Sequence, residues 1–374
     1  MSAMQRDIMK SKLPPLPSKP VGQASRFSSL VPKRNVKDYS PSSWEGYFDK
    51  QHDVKVGENT FRLYTRGTDG PVVLLLHGGG HSALSWAVFT KTLCDMCDCQ
   101  VAAIDFRGHG DSSTTNDTNM AADVMAYDIC HVILNFYDQS PPPIVMMGHS
   151  MGGAIAVHIA AKKILPNLSG LAVIDVVEGT ALDALSSMQS FLRSRPQKFS
   201  SLKQAIEWSI RSGQLRNLTS AKISMAGQLK KVEGTSSQSS NVSLDIVEET
   251  EEEVENEQTS FSSTSISEEQ SEYTWRVDLA ETEKYWKGWF ENMSSLFVSC
   301  PVPKLLLLAG IDRLDKDLTI GQMQGKFQMQ VLPNCGHMVH EDVPDKVAEI
   351  LTAFLLRQKL TVAKSNFERH TPSC

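Results

Sequence analysis

The sequence predicts an α/β fold in which a central, mostly parallel sheet is flanked by helices. Apolar runs that read as strands covered on both faces recur along the chain. Amphipathic helical stretches alternate with them, which favours parallel strands joined by right-handed crossovers. One of these runs ends in a sharp strand-to-helix turn. The predicted parallel strands are Pro71–Leu76, Val101–Ile104, Ile144–Met147, Gly170–Val177 and Lys304–Gly310, and Phe327–Leu332 is predicted to be the last strand.

At 374 residues the chain can hold one large α/β domain with insertions. Before the first parallel strand, Val54–Val56 and Thr60–Tyr64 predict an antiparallel pair that turns at Gly57. We predict six segments: a disordered basic Pro/Ser-rich tail (1–40), the first part of a core (41–180), a helical cap insertion without strands (181–231), a disordered acidic loop (232–272), the second part of the core (273–360) and a C-terminal tail (361–374).

Charge is unevenly distributed, although the net charge is only −6. The tail 1–40 carries eight Lys/Arg against two acids, and residues 232–272 carry twelve acids with no Lys or Arg. Segments this polar bury too little apolar area to offset their ordering entropy, so we expect both to be disordered. Nothing in the overall balance suggests nucleic acid as a partner.

The cap segment 181–231 carries nine Lys/Arg against Asp183 and Glu207. Two interpretations stay open from the sequence: a solubilising surface, or a surface that docks an acidic partner.

Cysteine usage and hydropathy indicate a reducing compartment and no membrane. Seven cysteines are scattered along the chain, and no apolar run reaches the ~18 residues of a membrane span. Cys94-x-x-Cys97-x-Cys99 has no second Cys/His pair at ligand spacing, so free thiols are favoured over a metal site. We expect a monomer in the cytoplasm, with a nuclear location left open.

The sharp turn is the main functional signal. The apolar run Ile144–Met147 is followed by Gly148-x-Ser150-x-Gly152 and then by a helical run. This is the nucleophile-elbow pattern, in which the serine adopts a strained backbone conformation above the sheet. Glycine is needed two residues before and after the serine because both positions approach neighbouring backbone. Ser150 is therefore the candidate nucleophile.

Glycines also follow the first parallel strand, in His77-Gly78-Gly79-Gly80. A glycine loop at this place lets backbone N–H groups point at a substrate oxyanion. His109 lies between two glycines after the next strand and is predicted to be structural. A dense aromatic cluster, Trp275 to Phe290, is predicted to pack between cap and sheet, with a partner-binding patch as the alternative.

A serine nucleophile needs a general base and an orienting carboxylate, in the chain order Ser, acid, His. His337 fits the loop after the last strand, and His340 is a weaker alternative. Asp312 follows the predicted strand Lys304–Gly310, and Asp175 stands at the carboxyl end of the predicted strand Gly170–Val177. Spacing alone therefore leaves the identity of the acid open. Asp315 and Asp317 are further alternatives to Asp312, but both are expected to contact solvent.

Several strings resemble those of the protein phosphatase methylesterases, a family with the α/β-hydrolase fold. The similarity covers roughly residues 41–230 and 273–355. The strings that carry it are Gly78–Trp86, Gly148–Ala156, Ile174–Thr180, Leu305–Asp317 and Gly321–Lys326.

The resemblance implies hydrolysis of the methyl ester on the C-terminal leucine of the protein phosphatase 2A catalytic subunit. It implies Ser150 as nucleophile, Asp175 as acid and His337 as base, with Asp312 as the runner-up acid. The N–H groups of Gly79 and Met151 would form the oxyanion hole, and no metal or organic cofactor is required. The acidic loop lacks the Lys/Arg cluster that such loops can carry, which leaves nuclear import open.

Two rival functions stay open: a small-molecule esterase on the same fold, and a phosphatase-binding protein without turnover. We also expect a closed or misaligned resting site, because a protein-specific esterase must avoid other esters.

Overall fold

The computed structural model describes residues 37–232, 272–310 and 314–364. Eleven strands are found in this part of the chain: β1 (Lys50–Val56), β2 (Asn59–Arg66), β3 (Val72–Leu76), β4 (Gln100–Ile104), β5 (Ile144–His149), β6 (Leu168–Ile174), β7 (Lys198–Phe199), β8 (Leu229–Lys231), β9 (Tyr273–Trp275), β10 (Lys304–Leu308) and β11 (Gln328–Val331).

The α-helices of the same part are α1 (Ala87–Met96), α2 (Ala122–Phe136), α3 (Met151–Lys162), α4 (Glu178–Ser194), α5 (Leu202–Arg211), α6 (Leu218–Gln228), α7 (Glu283–Phe290), α8 (Met293–Ser299), α9 (Lys316–Met323), α10 (Val339–Asp342) and α11 (Pro344–Arg357).

Eight strands form one sheet in the order β1-β2-β4-β3-β5-β6-β10-β11. The pairs among β4, β3, β5, β6, β10 and β11 are parallel, whereas β2 runs antiparallel to both β1 and β4. The predicted mostly parallel α/β sheet and the β1–β2 hairpin are therefore confirmed.

Alternate residues of the central strands enter two separate cores, one on each face of the sheet. Leu74 and Met146 belong to the core covered by α2, α3 and α8. Leu75 and Met147, one position later, belong to the core covered by α1 and α11. Both faces are apolar because helices cover both, which is why these strands read as continuous apolar runs rather than alternating ones.

The strand order reverses at β3, and this reversal locates the crevice where the site forms. After β3 the chain moves outward to β4, and then returns to place β5 on the other side of β3. Open α/β sheets bind ligands beyond the carboxyl ends of strands at such a point. Here β3, β5 and β6 are neighbours, with Leu76 opposite Gly148 and His149 opposite Ile174.

The segment after β6 forms the cap, and here the expectation of helices without strands was wrong. Helices α4, α5 and α6 are present, but β7, β9 and β8 also form a small antiparallel sheet. Strands of two or three residues leave no detectable periodicity in a sequence. Their shared partner β9 also lies some forty residues after β8 in the chain.

The two predicted disordered segments fall almost entirely outside the described residues, at 1–36 and 233–271. Their disorder therefore stays a prediction. Within the described ranges, no helix has the length and apolar character needed to cross a membrane.

Candidate active site

Ser150 occupies the turn between β5 and α3 in a strained backbone conformation. Its φ is 50° and its ψ is −120°, in a region that residues with a side chain rarely adopt. The backbone N–H of Ser150 donates to the carbonyl of Ile174 at 3.0 Å, which ties the turn to the end of β6. The serine is thus fixed where the strand ends and the helix begins.

The two glycines of the elbow sit against backbone that leaves no space for a side chain. A Cβ on Gly148 would lie 2.3 Å from the carbonyl oxygen of Gly152. A Cβ on Gly152 would lie 2.4 Å from the carbonyl oxygens of Leu76 and His77. These approaches confirm the predicted reason for glycine at both positions.

The glycine loop after β3 is held by a buried histidine. The N–H of Gly80 donates to Nε2 of His109 at 3.0 Å, and Nδ1 of His109 donates to the carbonyl of Arg107 at 2.9 Å. Burial lowers the pKa of His109 to about 4, so the ring is neutral and Nε2 can accept. His109 supports the loop, as predicted.

The two N–H groups predicted to form an oxyanion hole lie close to Ser150. Gly79 and Met151 line the same cavity as the serine, and a Cβ on Gly79 would lie 3.7 Å from Sδ of Met151. Met151 is the first residue of α3, so its N–H has no partner within the helix. Their role in catalysis stays a prediction.

Asp175 and His337 are joined by a hydrogen bond although they lie 162 positions apart in the chain. Asp175 follows β6 with a φ of 50°, and its Oδ1 accepts from the N–H of Ala309 at 2.8 Å. Its Oδ2 lies 2.8 Å from Nδ1 of His337. This pairing places the proton on Nδ1 of a neutral His337, which leaves Nε2 free to accept one.

The bond between serine and histidine is missing from this arrangement. Among the residues that the structure describes, no hydrogen bond links Oγ of Ser150 to the ring of His337. Both residues line the same two cavities, of about 530 and 460 Å³. The structure therefore contains the Asp175–His337 half of the predicted site but not the Ser150–His337 hydrogen bond.

Comparison with known proteins gives the family. Residues 73–350 match the model of the Alpha/beta hydrolase family. The chain is 52% identical to human protein phosphatase methylesterase 1 and 51% identical to the mouse protein, with full coverage of both chains in each case. The chain belongs to the protein phosphatase methylesterase family of α/β hydrolases.

More distant relatives agree with this family and fold. The protein phosphatase methylesterase 1 of Schizosaccharomyces pombe is 35% identical, with 86% of each chain covered. Two solved structures share the fold at low identity. One is E-2-(acetamidomethylene)succinate hydrolase, with TM-score 0.60, 19% identity and coverage of 82% of this chain and 98% of that one. The other is an esterase of Mycobacterium tuberculosis, with TM-score 0.57, 18% identity and coverage of 82% and 92%.

The residues considered as alternative acids or bases differ in how the structure places them in this esterase. His340 is fully buried, and its ring stacks on Trp86 with centroids 4.0 Å apart. Asp312 lies outside the described residues, so the structure does not test it. Asp315 was expected to contact solvent, but its carboxylate is half-buried and accepts from the N–H of Leu318 as the N-cap of α9.

His149 was not predicted from the sequence, and it links the elbow to the loop that holds His337. Nε2 of His149 donates to the carbonyl of His337 at 2.9 Å, and the two rings have centroids 4.7 Å apart. The ring of His149 is fully buried at the end of β5. His149 is the variable residue before the serine in the elbow pattern. A polar residue at the end of an apolar strand was the sequence signal that could have indicated its role.

A buried acid beneath the site was also missed. Glu341 is fully buried, and its carboxyl oxygens form no hydrogen bond of good geometry with the described residues, although the nearby Ser224 hydroxyl partly offsets the effect of burial on its pKa. Its Oε1 lies 3.8 Å from Nδ1 of His81, which lines the larger cavity. Burial raises the pKa of Glu341 to about 8 and lowers the pKa of His81 to about 3. Both groups are therefore neutral near pH 7, and no sequence pattern marks such a pair.

Replacing Gly148 with alanine should destabilise the protein, because the new Cβ would overlap the carbonyl of Gly152. We expect Gly148→Ala to lower the free energy of unfolding in urea by about 3 kcal/mol. The matched control is Gly288→Ala in α7, where a Cβ would meet nothing within 4 Å and should be neutral or stabilising by up to about 1 kcal/mol. Equal unfolding curves for the Gly148 variant and the wild type would contradict this account of the elbow.

The buried Glu341 should make stability fall as pH rises. Its pKa in the folded state is about 8 against an ordinary value of 4.5, so the folded protein holds a proton that the unfolded chain releases between these values. The Glu341 contribution is present in full below pH 4.5 and is lost towards pH 8, by up to about 1.4 kcal/mol per pH unit.

The variant Glu341→Gln should therefore gain stability relative to wild type as the pH of urea unfolding is raised from 5.5 to 8. Neighbouring Asp342 and His81 are unchanged in the comparison, so their effects cancel. The control Glu291→Gln, at an exposed site that pairs with Lys287, should keep a constant offset of at most about 0.5 kcal/mol. A difference for Glu341→Gln that stays flat over this range would refute the neutral buried acid.

Proposed function

We propose that this enzyme removes the methyl ester from the C-terminal leucine of the protein phosphatase 2A catalytic subunit. The observation that carries the proposal is the strained Ser150 beside a hydrogen-bonded His337–Asp175 pair, all three of which line the smaller cavity. The name shared by the full-length relatives supplies the substrate class, a protein phosphatase.

In the proposed mechanism, Nε2 of His337 takes the proton from Oγ of Ser150 as the oxygen attacks the ester carbonyl. Asp175 keeps His337 in the productive tautomer and stabilises the imidazolium that forms. The N–H groups of Gly79 and Met151 bind the oxyanion, each contributing about 3 kcal/mol to transition-state stabilisation. His337 then gives its proton to the leaving methanol. Water hydrolyses the acyl-enzyme by the same proton path and leaves a free carboxylate.

The cavities beside Ser150 suit this substrate. The larger one is lined mainly by apolar side chains, among them Leu185, Met188, Trp286 and Phe290. Such a lining favours the aliphatic side chain of a C-terminal leucine. The aromatic residues of α7 were predicted to pack between cap and sheet. Trp286 and Phe290 are buried in that position and line the cavity as well.

Binding of the phosphatase would complete the site by bringing Ser150 and His337 within hydrogen-bond reach. The basic cap supplies a docking surface for this step, because exposed Arg193, Lys203 and Lys230 face solvent there. We further propose that the enzyme acts as a monomer in the cytoplasm. In the described residues, six cysteines are buried free thiols, which is typical of a reducing compartment.

Two rival functions each have one observation in their favour. A cavity of about 530 Å³ also fits a small-molecule ester. The missing hydrogen bond between Ser150 and His337 is what a phosphatase-binding protein without turnover would show. Direct measurement of demethylation separates all three functions.

We expect the wild type to release methanol from a methylated phosphatase catalytic subunit, measured together with loss of the methyl group by mass spectrometry. Ser150→Ala should reduce turnover to background, and Asp175→Asn should lower it by about 10³–10⁴-fold with folding retained. The control Asp312→Asn should stay near wild type.

Three results would redirect the assignment. Loss of turnover in Asp312→Asn but not in Asp175→Asn would move the acid to Asp312. Hydrolysis of p-nitrophenyl butyrate without demethylation of the phosphatase would favour the small-molecule esterase. Tight phosphatase binding with no turnover of either substrate would favour the binding protein.

A further inference from the structure

The larger cavity beside Ser150 contains a cation that the proposed chemistry does not use. Arg195 is the C-cap residue of α4 and lines this cavity together with Ser150, Met151 and His337. Among the described lining residues it is the only Lys, Arg, Asp or Glu. A charged group in a mainly apolar substrate cavity requires a reason, because burial of an unpaired charge is costly.

Arg195 is held firmly but is not paired. Its guanidinium carbon lies 4.2 Å from the ring centroid of Trp275, a cation–π stack. Trp275 is in turn fixed, since its indole N–H donates to the carbonyl of Pro196 at 2.7 Å and its ring contacts Phe199 and Trp208 edge-on. This stack orders the plane of the guanidinium group.

The guanidinium group has no counter-charge in contact. Nε of Arg195 is buried without a hydrogen-bond partner, and in the described part of the chain no carboxylate lies within 4 Å of the group. Asp278 is near enough to raise the pKa of Arg195, but burial outweighs it and lowers that pKa to about 10. The group is therefore charged at neutral pH and lacks the bidentate anion that its geometry favours.

We propose that Arg195 binds an acidic side chain of the substrate, located a few residues before the methylated C-terminal residue. The inference rests on the proposed function, because it places the ester at Ser150 and the preceding residues along the cavity. A carboxylate from the substrate would satisfy the guanidinium fork that is unpaired in the free enzyme. The product carboxylate is a different group, since it forms at Ser150 itself.

This charge selection would also help to exclude other esters. A neutral small ester placed at Ser150 leaves the half-buried Arg195 unpaired, with its Nε shielded from solvent, whereas an acidic peptide pairs it. Discrimination of this kind, in which the wrong ligand leaves a buried polar group unsatisfied, is stronger than discrimination by size alone. The cavity thus would select peptides that carry a negative charge near the methyl ester.

The test uses methyl-ester peptides that differ only by Asp or Asn at one of the four positions before the methylated leucine. Affinity is measured by fluorescence anisotropy in the Ser150→Ala background, and kcat/KM is measured with the otherwise unmodified enzyme. At one position we expect the Asp peptide to bind at least tenfold more tightly than its Asn partner, with the difference in turnover arising in KM.

Variants then show which side chain of the enzyme recognises the acidic residue of the peptide. In Arg195→Gln the Asp/Asn ratio should fall to about one, and in Arg195→Lys an intermediate ratio should remain because charge is kept without the fork. The control Arg357→Gln removes an exposed charge at the end of α11 that does not line this cavity, and it should keep the wild-type ratio. A ratio within one variant is insensitive to loss of folded protein.

The outcomes separate the inference from the function on which it rests. An Asp/Asn ratio near one at every position, or a preference that survives Arg195→Gln, would overturn the role of Arg195. Free leucine could instead inhibit the enzyme in a way that depends on Arg195, with no Asp/Asn preference among the peptides. That result would assign Arg195 to the product carboxylate and would also overturn the proposed role of Arg195. If neither the peptide esters nor the whole methylated phosphatase catalytic subunit is hydrolysed while the anisotropy preference persists, the proposed function fails and the role of Arg195 stands.

Discussion

The close approach of backbone at the elbow is the constraint on which the rest of the site depends. A Cβ atom on Gly148 or Gly152 would overlap a backbone carbonyl group. Glycine at both positions therefore allows β5 and α3 to approach this closely. The turn between them forces Ser150 to a positive φ, and the N–H of Ser150 is anchored on β6. A parallel sheet with neighbours on both sides of β5 supplies the rigidity that holds such strain.

Asp175 shows the same principle one strand away. It also has a positive φ, and its carboxylate is fixed by the N–H of Ala309 before it reaches His337. Adjacent strands β5 and β6 are therefore each followed by a residue with a strained backbone. His149 adds a link from the elbow to the backbone of His337, so the end of β5 helps to position the loop of His337. Only the contact between Ser150 and His337 is left to form.

Local chemistry explains why much of the fold and site could be predicted. The parallel strands are continuous apolar runs because two cores cover them, and the elbow glycines follow from rules about backbone geometry. Asp175 was favoured over Asp312 only by the family resemblance, since spacing left both open. The small cap sheet could not be predicted, because β7 has two residues and its partner β9 lies far along the chain. Buried Glu341 gave no signal either, since His340-Glu341-Asp342 reads like the polar start of a helix. Burial of such a residue depends on tertiary packing that no local pattern records.

The central claim is that Ser150 is the nucleophile of an otherwise prepared site. The most direct measurement is reaction of the folded protein with a fluorophosphonate, followed by peptide mapping of the adduct by tandem mass spectrometry. We expect one adduct, on Oγ of Ser150, which is lost in Ser150→Ala and formed more slowly in Asp175→Asn. An adduct on another residue, or labelling of Ser150→Ala equal to that of the wild type, would contradict it.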